Sequence, residues 1–231
     1  MLKNSYGLLY GLKKMGYLKS DRDPLWWPNS GTEDVIFGAI LTQQTKWEKV
    51  EESLANLRKA GLDKLESLAD ADTKIIASLI KPSGFYNTKA QRLKMLCRHI
   101  LEDFGSFEDF QDKVGREWLL KQKGIGMESA DSILCYGCRR EVFVVDSYTG
   151  RLLEAFGYCF ESYGEIQEWI VEGLEENFDK IHALYGREVS RHQLYARLHG
   201  KIVEFAKENI RGKQVDLTQL LPFLDDVQEL G

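Results

Sequence analysis

Apolar residues recur every three or four positions along most of the chain, which is the spacing of one face of an α-helix. Residues 1–20 form one such amphipathic pattern. Turn-forming stretches separate the others at PNSG, KPSGF, FGSF and KGIG. The pattern predicts helices over 33–59, 64–80, 88–103, 107–112, 115–122, 127–139, 149–156, 164–183 and 188–209. An all-α fold is therefore expected.

A short apolar run, residues 142–145, has the β-branched and aromatic character of a strand. A single strand of this length cannot form a sheet by itself. We interpret the run as a buried connection that leads the chain to Asp146.

Composition indicates a globular chain, with 43% hydrophobic and 29% charged residues among 231. No apolar run approaches the roughly 18 residues that a membrane span needs. Residues 1–20 also lack the apolar centre of a signal peptide. We therefore expect a cytoplasmic protein that does not enter the membrane.

Cysteine usage gives little sign of a metal site. Cys135 and Cys138 form a CxxC pair, but the pair lies in a helical pattern and no second pair is near it. Cys97 and Cys159 are isolated. Reduced thiols and no bound metal are expected.

The formal net charge of -5 weighs weakly against nucleic acid as a partner. Positive residues nevertheless gather in two stretches, and a solvated face is the simpler interpretation of each. They are Lys121, Lys123, Arg139 and Arg140, and Lys89, Arg92 and Lys94.

Residues 115–139 have the pattern of a helix-hairpin-helix, with KGIG between two helical stretches. Gly124 and Gly126 permit positive φ and leave backbone N–H groups uncovered at the start of the second helix. A phosphate would fit there. An ordinary turn between two helices, without a ligand, is the alternative.

Asp146 stands between the run 142–145 and the next helical pattern. Aspartate is a favoured helix N-cap, so a capping role alone would explain it. A carboxylate held ionised by helix N–H groups can also stabilise a cationic sugar or orient an attacking water. Both interpretations stay open on these residues alone.

Four motifs resemble the helix-hairpin-helix DNA glycosylases of the endonuclease III superfamily. KGIG, ADSIL and VVD stand in family order, and 146 − 126 = 20 residues separate the last hairpin glycine from the aspartate. ILTQQTKWEKV resembles the family's LSxQxT helix, and SGFYNTKAQRL resembles its GxYxxKAxxL segment. The resemblance covers about 32–156.

This resemblance implies a two-lobed all-α fold with DNA in a cleft, a flipped-out nucleotide and hydrolysis of its N-glycosidic bond. The implied lobes are residues 32–142, with six helices, and residues 1–31 together with 143–231. Asp146 would then be the catalytic carboxylate. The implied DNA-binding residues are Gln44, as the wedge beside the vacated base position, and Lys123, Gly124 and Gly126 at a backbone phosphate.

Departures from the family pattern narrow the expected activity. Glu128 occupies the position of the lysine nucleophile of bifunctional members, and a carboxylate cannot form a Schiff base. No cysteine follows Cys159, so the family's iron–sulfur cluster is not expected. Lys123 replaces a common proline. Whether a monovalent cation joins the hairpin to a phosphate stays open.

RDPLWWPNS and QLYARLHGKIVEFAK resemble the bacterial 3-methyladenine DNA glycosylases of this superfamily. The resemblance implies a base pocket lined by Trp26, Trp27, Pro28, Trp47 and Lys201. Aromatic faces attract a cationic base, although tryptophans often serve the core instead. Because Lys201 lies on an apolar stripe, we expect it to be buried and paired, neutral or covalently modified, for example by carbamylation.

The expected function is a monomeric, monofunctional DNA glycosylase that removes alkylated purines, chiefly 3-methyladenine, from double-stranded DNA. A cationic base leaves readily, which suits a chain with one candidate carboxylate and no partnered acid. The histidines lie far from the hairpin in sequence, although folding could bring one closer: His99, His182, His192 and His199. A glycosylase for another base and a non-catalytic DNA-binding protein are the alternatives.

Overall fold

The computed structural model describes residues 2–18 and 24–224. Its helices are α1 (Ser5–Lys14), α2 (Asp34–Leu41), α3 (Trp47–Lys59), α4 (Leu65–Asp70), α5 (Thr73–Leu79), α6 (Tyr86–Phe104), α7 (Phe107–Lys113), α8 (Arg116–Lys121), α9 (Met127–Ser132), α10 (Ser147–Ala155), α11 (Tyr163–Glu175), α12 (Phe178–Tyr185) and α13 (Arg191–Asn209). A 3₁₀ turn covers Lys81–Ser83, and a π turn, Ile133–Gly137, continues α9. The mostly helical fold is the one that the apolar spacing predicts.

The predicted helix 33–59 is wrong as a single helix, because the chain breaks at 42–46 between α2 and α3. Gln44 adopts a left-handed backbone there, with φ of 54°. The Thr45 hydroxyl donates to the Ser83 carbonyl at 2.6 Å. Polar side chains that bond outside their own helix favour such a break.

Two further predicted helices are also divided. The stretch 64–80 breaks before Asp72, whose side chain caps α5 by accepting from the Lys74 N–H at 2.7 Å. The stretch 164–183 breaks at 176–177, where Asn177 precedes α12. Aspartate and asparagine are favoured at helix starts, so each break coincides with a start signal inside a continuous apolar pattern.

The run 142–145 joins no strand within the described residues, and it is mostly buried. Side chains satisfy its polar groups: Gln167 Nε2 donates to the Phe143 carbonyl at 2.6 Å, and the Val145 N–H donates to the Tyr163 hydroxyl at 3.1 Å. The strands that do form, β1 (Ile210–Arg211) and β2 (Gln214–Val215), pair antiparallel and were not predicted. Each has only two residues, too few for a periodicity signal.

The chain divides into two compact units, Met1–Trp27 with Glu141–Gly231, and Pro28–Arg140. We call them the terminal unit and the central unit. The predicted lobe boundaries fall at 32 and 142. Of the predicted pattern 1–20, residues 1, 19 and 20 lie outside the described part of the chain. No helix among the described residues is long and apolar enough to cross a membrane.

The terminal unit is built around α13, whose apolar stripe packs with α1 and α10. The stripe residues Leu194, Leu198 and Phe205 are fully buried, together with Leu8 and Leu12 of α1. Burying a side chain of this size contributes about 1.5–3 kcal/mol. This core fixes the positions of the residues on α13 and at the start of α10.

The central unit surrounds α2, which is apolar on all sides and buried from Val35 to Leu41. It contacts α3, α6, α9 and the π turn. A helix that is hydrophobic all round belongs in a core. The loop 42–46, which follows α2, therefore starts from a fixed position.

Candidate functional site

Asp146 follows the mostly buried run 142–145 of the terminal unit and forms the N-cap of α10. Its Oδ1 accepts from the Thr149 N–H and from the Thr149 hydroxyl, both at 2.8 Å. The side chain is 12% exposed. The predicted position at a helix start is confirmed, while the catalytic role stays a prediction.

The charge on Asp146 is set by competing effects. Burial raises the pKa of its carboxyl, but the His199 ring and the two Thr149 donors together outweigh it. The pKa therefore lies below its usual range, and the side chain is an ionised carboxylate at neutral pH. Such a group can offset positive charge that develops beside it.

His199, on α13, is a site residue that the sequence does not identify. Its Nε2 lies 3.6 Å from Asp146 Oδ2, and the residue is 4% exposed. The two residues are 199 − 146 = 53 positions apart. The sequence offers only a weak signal: His199 falls on the same helix face as the buried Tyr195 and Ile202, four and three positions away.

Trp26 and Trp27 lie in a loop against this pair in the terminal unit. Trp26 meets the His199 ring edge-on, with centroids 5.4 Å apart, and Trp27 is 6.4 Å from Trp26. Trp26 has φ of 82°, a left-handed conformation that is costly for a bulky residue. Strain of this kind persists only where surrounding contacts impose it.

Gly200 provides the surface on which Trp26 packs. A Cβ at this position would lie 2.4 Å from Trp26 Cγ, well inside van der Waals contact. Arg197 also donates to the Pro24 carbonyl at 2.5 Å and so ties the loop to α13. The close approach of Trp26 to α13 therefore requires glycine at 200.

Lys201 is 3% exposed, so its expected burial is confirmed. Its Nζ donates to the Tyr17 carbonyl at 2.5 Å. Burial, with smaller contributions from Arg197 and Lys13, lowers the pKa of Lys201 to about 8. Its role in a base pocket stays a prediction.

The hairpin lies in the central unit between α8 and α9, as predicted. Gly124 has φ of 86° and so uses the positive φ that glycine permits, whereas Gly126 has φ of -95°. Gly126 is exposed, and a Cβ there would meet no described atom within 4 Å. The buried Asp131 carboxylate accepts from Arg116 at 2.6 and 2.9 Å and locks α8 to α9.

Gln43 ties the loop 42–46 to the hairpin. Its Nε2 donates to the Gly124 carbonyl at 2.9 Å and to the Ser129 hydroxyl at 3.1 Å. Its Oε1 accepts from Arg92 Nη1 at 3.0 Å. Gln44 instead is exposed on its left-handed backbone. The neighbouring glutamines therefore differ in their contacts: Gln43 bonds the loop 42–46 to the hairpin, and the side chain of Gln44 is exposed.

Lys89 corrects the expectation of a solvated positive cluster, because it is 2% exposed. Its Nζ donates to the Leu41 carbonyl, the Thr45 hydroxyl and the Ser83 carbonyl, each at 2.8 Å. Burial, and to a smaller extent the charge of Arg92, lowers the pKa of Lys89 to about 8. Lys89 thus holds the end of α2, the loop 42–46 and the 3₁₀ turn together.

Phe85 is a second residue that the sequence does not identify. It is 68% exposed and has φ of 45°, directly before α6. An exposed aromatic ring forgoes the stabilisation that burial would give, and a left-handed backbone costs a residue of this kind conformational free energy. The central unit thus exposes Phe85 as well as Gln44.

The remaining predicted residues are dispersed. Trp47 begins α3 in the central unit, directly after the break at 42–46, and its place in a base pocket stays a prediction. Pro28 is the first residue of the same unit. Lys123 and Glu128 are exposed in the hairpin turn and the first turn of α9.

No group of three or more His, Cys, Asp or Glu side chains within residues 2–18 and 24–224 could hold a metal ion. Cys97, Cys135 and Cys138 are buried free thiols, and Cys159 is an exposed one. Burial raises the pKa of Cys138 to about 12 and that of Cys135 further. These thiols are therefore protonated at neutral pH.

Residues 37–176 match the HhH-GPD superfamily of base excision DNA repair proteins. The chain is also 35% identical over 220 residues to a Methanocaldococcus jannaschii protein whose name assigns it to the DNA repair glycosylases, with 92% of this chain and 93% of that one covered. The chain therefore belongs to the HhH-GPD superfamily, as its motifs indicate. It is a DNA glycosylase of base excision repair.

Two solved structures place the fold within this class. The 3-methyladenine DNA glycosylase MagIII of H. pylori, bound to 1,N6-ethenoadenine, has a TM-score of 0.86 and 46% identity, covering 91% of this chain and 100% of that one. An endonuclease III–DNA complex has a TM-score of 0.72 at 15% identity, covering 99% and 100%. The second likeness concerns the fold alone.

We predict that Gly200→Ala displaces Trp26 and destabilises the protein by about 1–3 kcal/mol, because the added methyl overlaps the ring. Urea unfolding measures the loss, and the ¹⁹F signal of Trp26 in 5-fluorotryptophan-labelled protein reports the displacement. Gly164→Ala is the matched control, since a Cβ there meets its nearest neighbour at 3.9 Å. An unshifted Trp26 signal in Gly200→Ala would contradict the packing argument.

The lowered pKa of Lys201 gives a prediction for pH. The unfolded chain keeps the lysine proton up to about pH 10.4, whereas the folded chain releases it near pH 8, so this residue's contribution to stability rises between those values. In Lys201→Met this contribution is missing. The free energy of unfolding of the variant should therefore fall relative to wild type by about 1–2 kcal/mol from pH 7 to pH 9.5.

Urea titrations at both pH values measure this difference. Lys207→Met on the same helix is the control, because Lys207 is exposed, and its difference from wild type should not change with pH. An equal pH response of the two variants would show that Lys201 is charged in the folded protein across this range.

Proposed function

We propose that this chain is a monofunctional glycosylase that removes alkylated purines, chiefly 3-methyladenine, from double-stranded DNA. The observation that carries the proposal is the ionised Asp146 carboxylate within a cluster that includes His199 and Trp26. The 46% identity to an H. pylori 3-methyladenine DNA glycosylase supports the same substrate class. We further propose that the protein acts as a cytoplasmic monomer without an iron–sulfur cluster.

Hydrolysis of the N-glycosidic bond places positive charge on the sugar. The bond from C1′ to the base nitrogen breaks and its electron pair leaves with the base. A water oxygen bonds to C1′ and releases its proton to solvent. Asp146 Oδ2, the oxygen not committed to capping, would stabilise the sugar cation and orient this water.

Alkylation at a ring nitrogen makes a purine cationic, so it leaves as a neutral base without added acid. Tryptophan faces attract such a cation by about 0.5–2 kcal/mol, depending on desolvation. Trp26 and Trp27 are the candidates in the terminal unit, with Lys201 on the same helix as His199. Lys201 would carry little charge above pH 8 and would then repel a cationic base less.

DNA binding is proposed for the exposed groups of the central unit. Lys123, Gly124 and Gly126 would hold a phosphate of the backbone through a side-chain ammonium and backbone N–H groups. Gln44 would occupy the position that the flipped base leaves, since it is exposed on a loop that Gln43 and Lys89 hold in place. A monovalent cation between hairpin and phosphate remains part of this proposal.

The proposal that the protein does not cleave the DNA strand is based on a residue of the hairpin. Glu128 is exposed in the first turn of α9, where a bifunctional member would carry its lysine. A carboxylate cannot add to C1′ as an imine-forming amine does. The released product is therefore an intact abasic site.

The proposal predicts release of 3-methyladenine from methylated double-stranded DNA, with strands that stay intact until alkali is added. Borohydride should trap no protein–DNA adduct. Uracil and 8-oxoguanine should be poor substrates, while 1,N6-ethenoadenine tests whether a neutral alkylated base is also removed. Chromatography of released bases and denaturing gels measure these outcomes. Efficient excision of 8-oxoguanine with poor release of 3-methyladenine would favour a glycosylase for another base.

Asp146→Asn distinguishes catalysis from capping. Asparagine still caps α10 but cannot offset a sugar cation, so base release should fall by roughly 10²–10³-fold. The midpoint of urea unfolding and the Kd for DNA with a stable abasic analogue should stay close to wild type. Near-normal release by this variant would leave Asp146 with the capping role alone.

A further inference from the structure

The two oxygens of Asp146 have different surroundings. Oδ1 accepts both donors of Thr149 at 2.8 Å. Oδ2 faces His199 Nε2 at 3.6 Å, within ion-pair range but beyond an ordinary hydrogen bond. Capping therefore fixes one oxygen, and the position of the other depends on what lies beside it.

The His199 ring is held in a fixed orientation. It lies edge-on to Trp26 at 86° and edge-on to Phe143 at 89°, with centroids 5.4 and 6.4 Å away. It is buried on α13, whose neighbouring Gly200 carries Trp26. Because these contacts limit rotation of the ring, Nε2 stays directed at Asp146.

We infer that His199 is a positioning residue for Asp146: in the substrate complex it donates from Nε2 to Oδ2 and holds that oxygen at the reacting sugar as a carboxylate. The inference rests on the catalytic role proposed for Asp146. The approach it requires is a few tenths of an ångström, and hydrogen bonds of catalytic groups are often long before substrate binds.

Electrostatics within the terminal unit agree with this role. Burial raises the pKa of Asp146, and among the groups that lower it the nearby His199 ring comes before the Thr149 donors. Hydrogen bonds to ionised groups are stronger than those between neutral groups.

The test uses three variants of His199, two that change the position of the side-chain N–H donor and one that removes the donor. The amide of His199→Gln can place its N–H near the position of Nε2, whereas the shorter amide of His199→Asn corresponds to Nδ1. His199→Leu fills part of the space without a donor. Thermal unfolding verifies that each variant folds, and the Gln and Asn pair remains informative if the Leu variant does not.

Single-turnover release of 3-methyladenine at saturating enzyme should fall by roughly 10- to 100-fold in the Asn and Leu variants, the usual effect of losing a hydrogen bond to a charged group. The Gln variant should retain most of the rate. Affinity for DNA with a stable abasic analogue should be unchanged in all three. Equal losses in Gln and Asn, or a loss of affinity in place of rate, would overturn the positioning role.

A second measurement does not depend on activity. The ¹³C resonance of the Asp146 carboxyl carbon, titrated without DNA, reports its pKa directly. In His199→Asn this pKa should rise, because burial remains while the main opposing group is lost. An unchanged pKa would refute the inference even if wild type releases 3-methyladenine. Failure of wild type to release any base would contradict the proposed function, and this titration would then decide the inference.

Discussion

The capping of α10 by Asp146 is the constraint on which the terminal unit's site depends. The carboxylate remains ionised although burial opposes the charge, because His199 and the backbone and hydroxyl donors of Thr149 together lower its pKa. The residues before it form hydrogen bonds with the side chains of Gln167 and Tyr163. These contacts therefore fix the chain before Asp146, and the start of α10 fixes the chain after it.

Three consecutive residues of α13 meet the rest of this site in different ways. His199 faces the carboxylate, Gly200 admits Trp26, and Lys201 is paired with the Tyr17 carbonyl. Successive positions on a helix point about 100° apart, so each of these residues addresses a different neighbour. Lys201 lies on the buried apolar stripe that anchors α13, whereas His199 and Gly200 lie on other faces of the helix. The core contacts of α13 keep this helix in place although the strained Trp26 packs against it.

The sequence predicts well what depends on periodicity and on local turn chemistry. The α13 stripe, the hairpin glycine at 124 and the carboxylate at a helix start all follow from spacing or residue type. What it does not show depends on contacts between distant segments. The break after α2 is held by Lys89, 44 positions after Thr45. His199 reaches Asp146 only through the packing of α13 on α10.

The buried Lys89 of the central unit explains how the exposed, left-handed Gln44 is held in its conformation. Lys89 binds two carbonyl groups and a hydroxyl, and the Leu41 carbonyl is at the negative end of α2. Gln43 meanwhile ties the same loop to the Gly124 carbonyl. Because these hydrogen bonds involve Gln43 and Thr45, the residues on either side of Gln44, contacts within the central unit offset the backbone strain at Gln44.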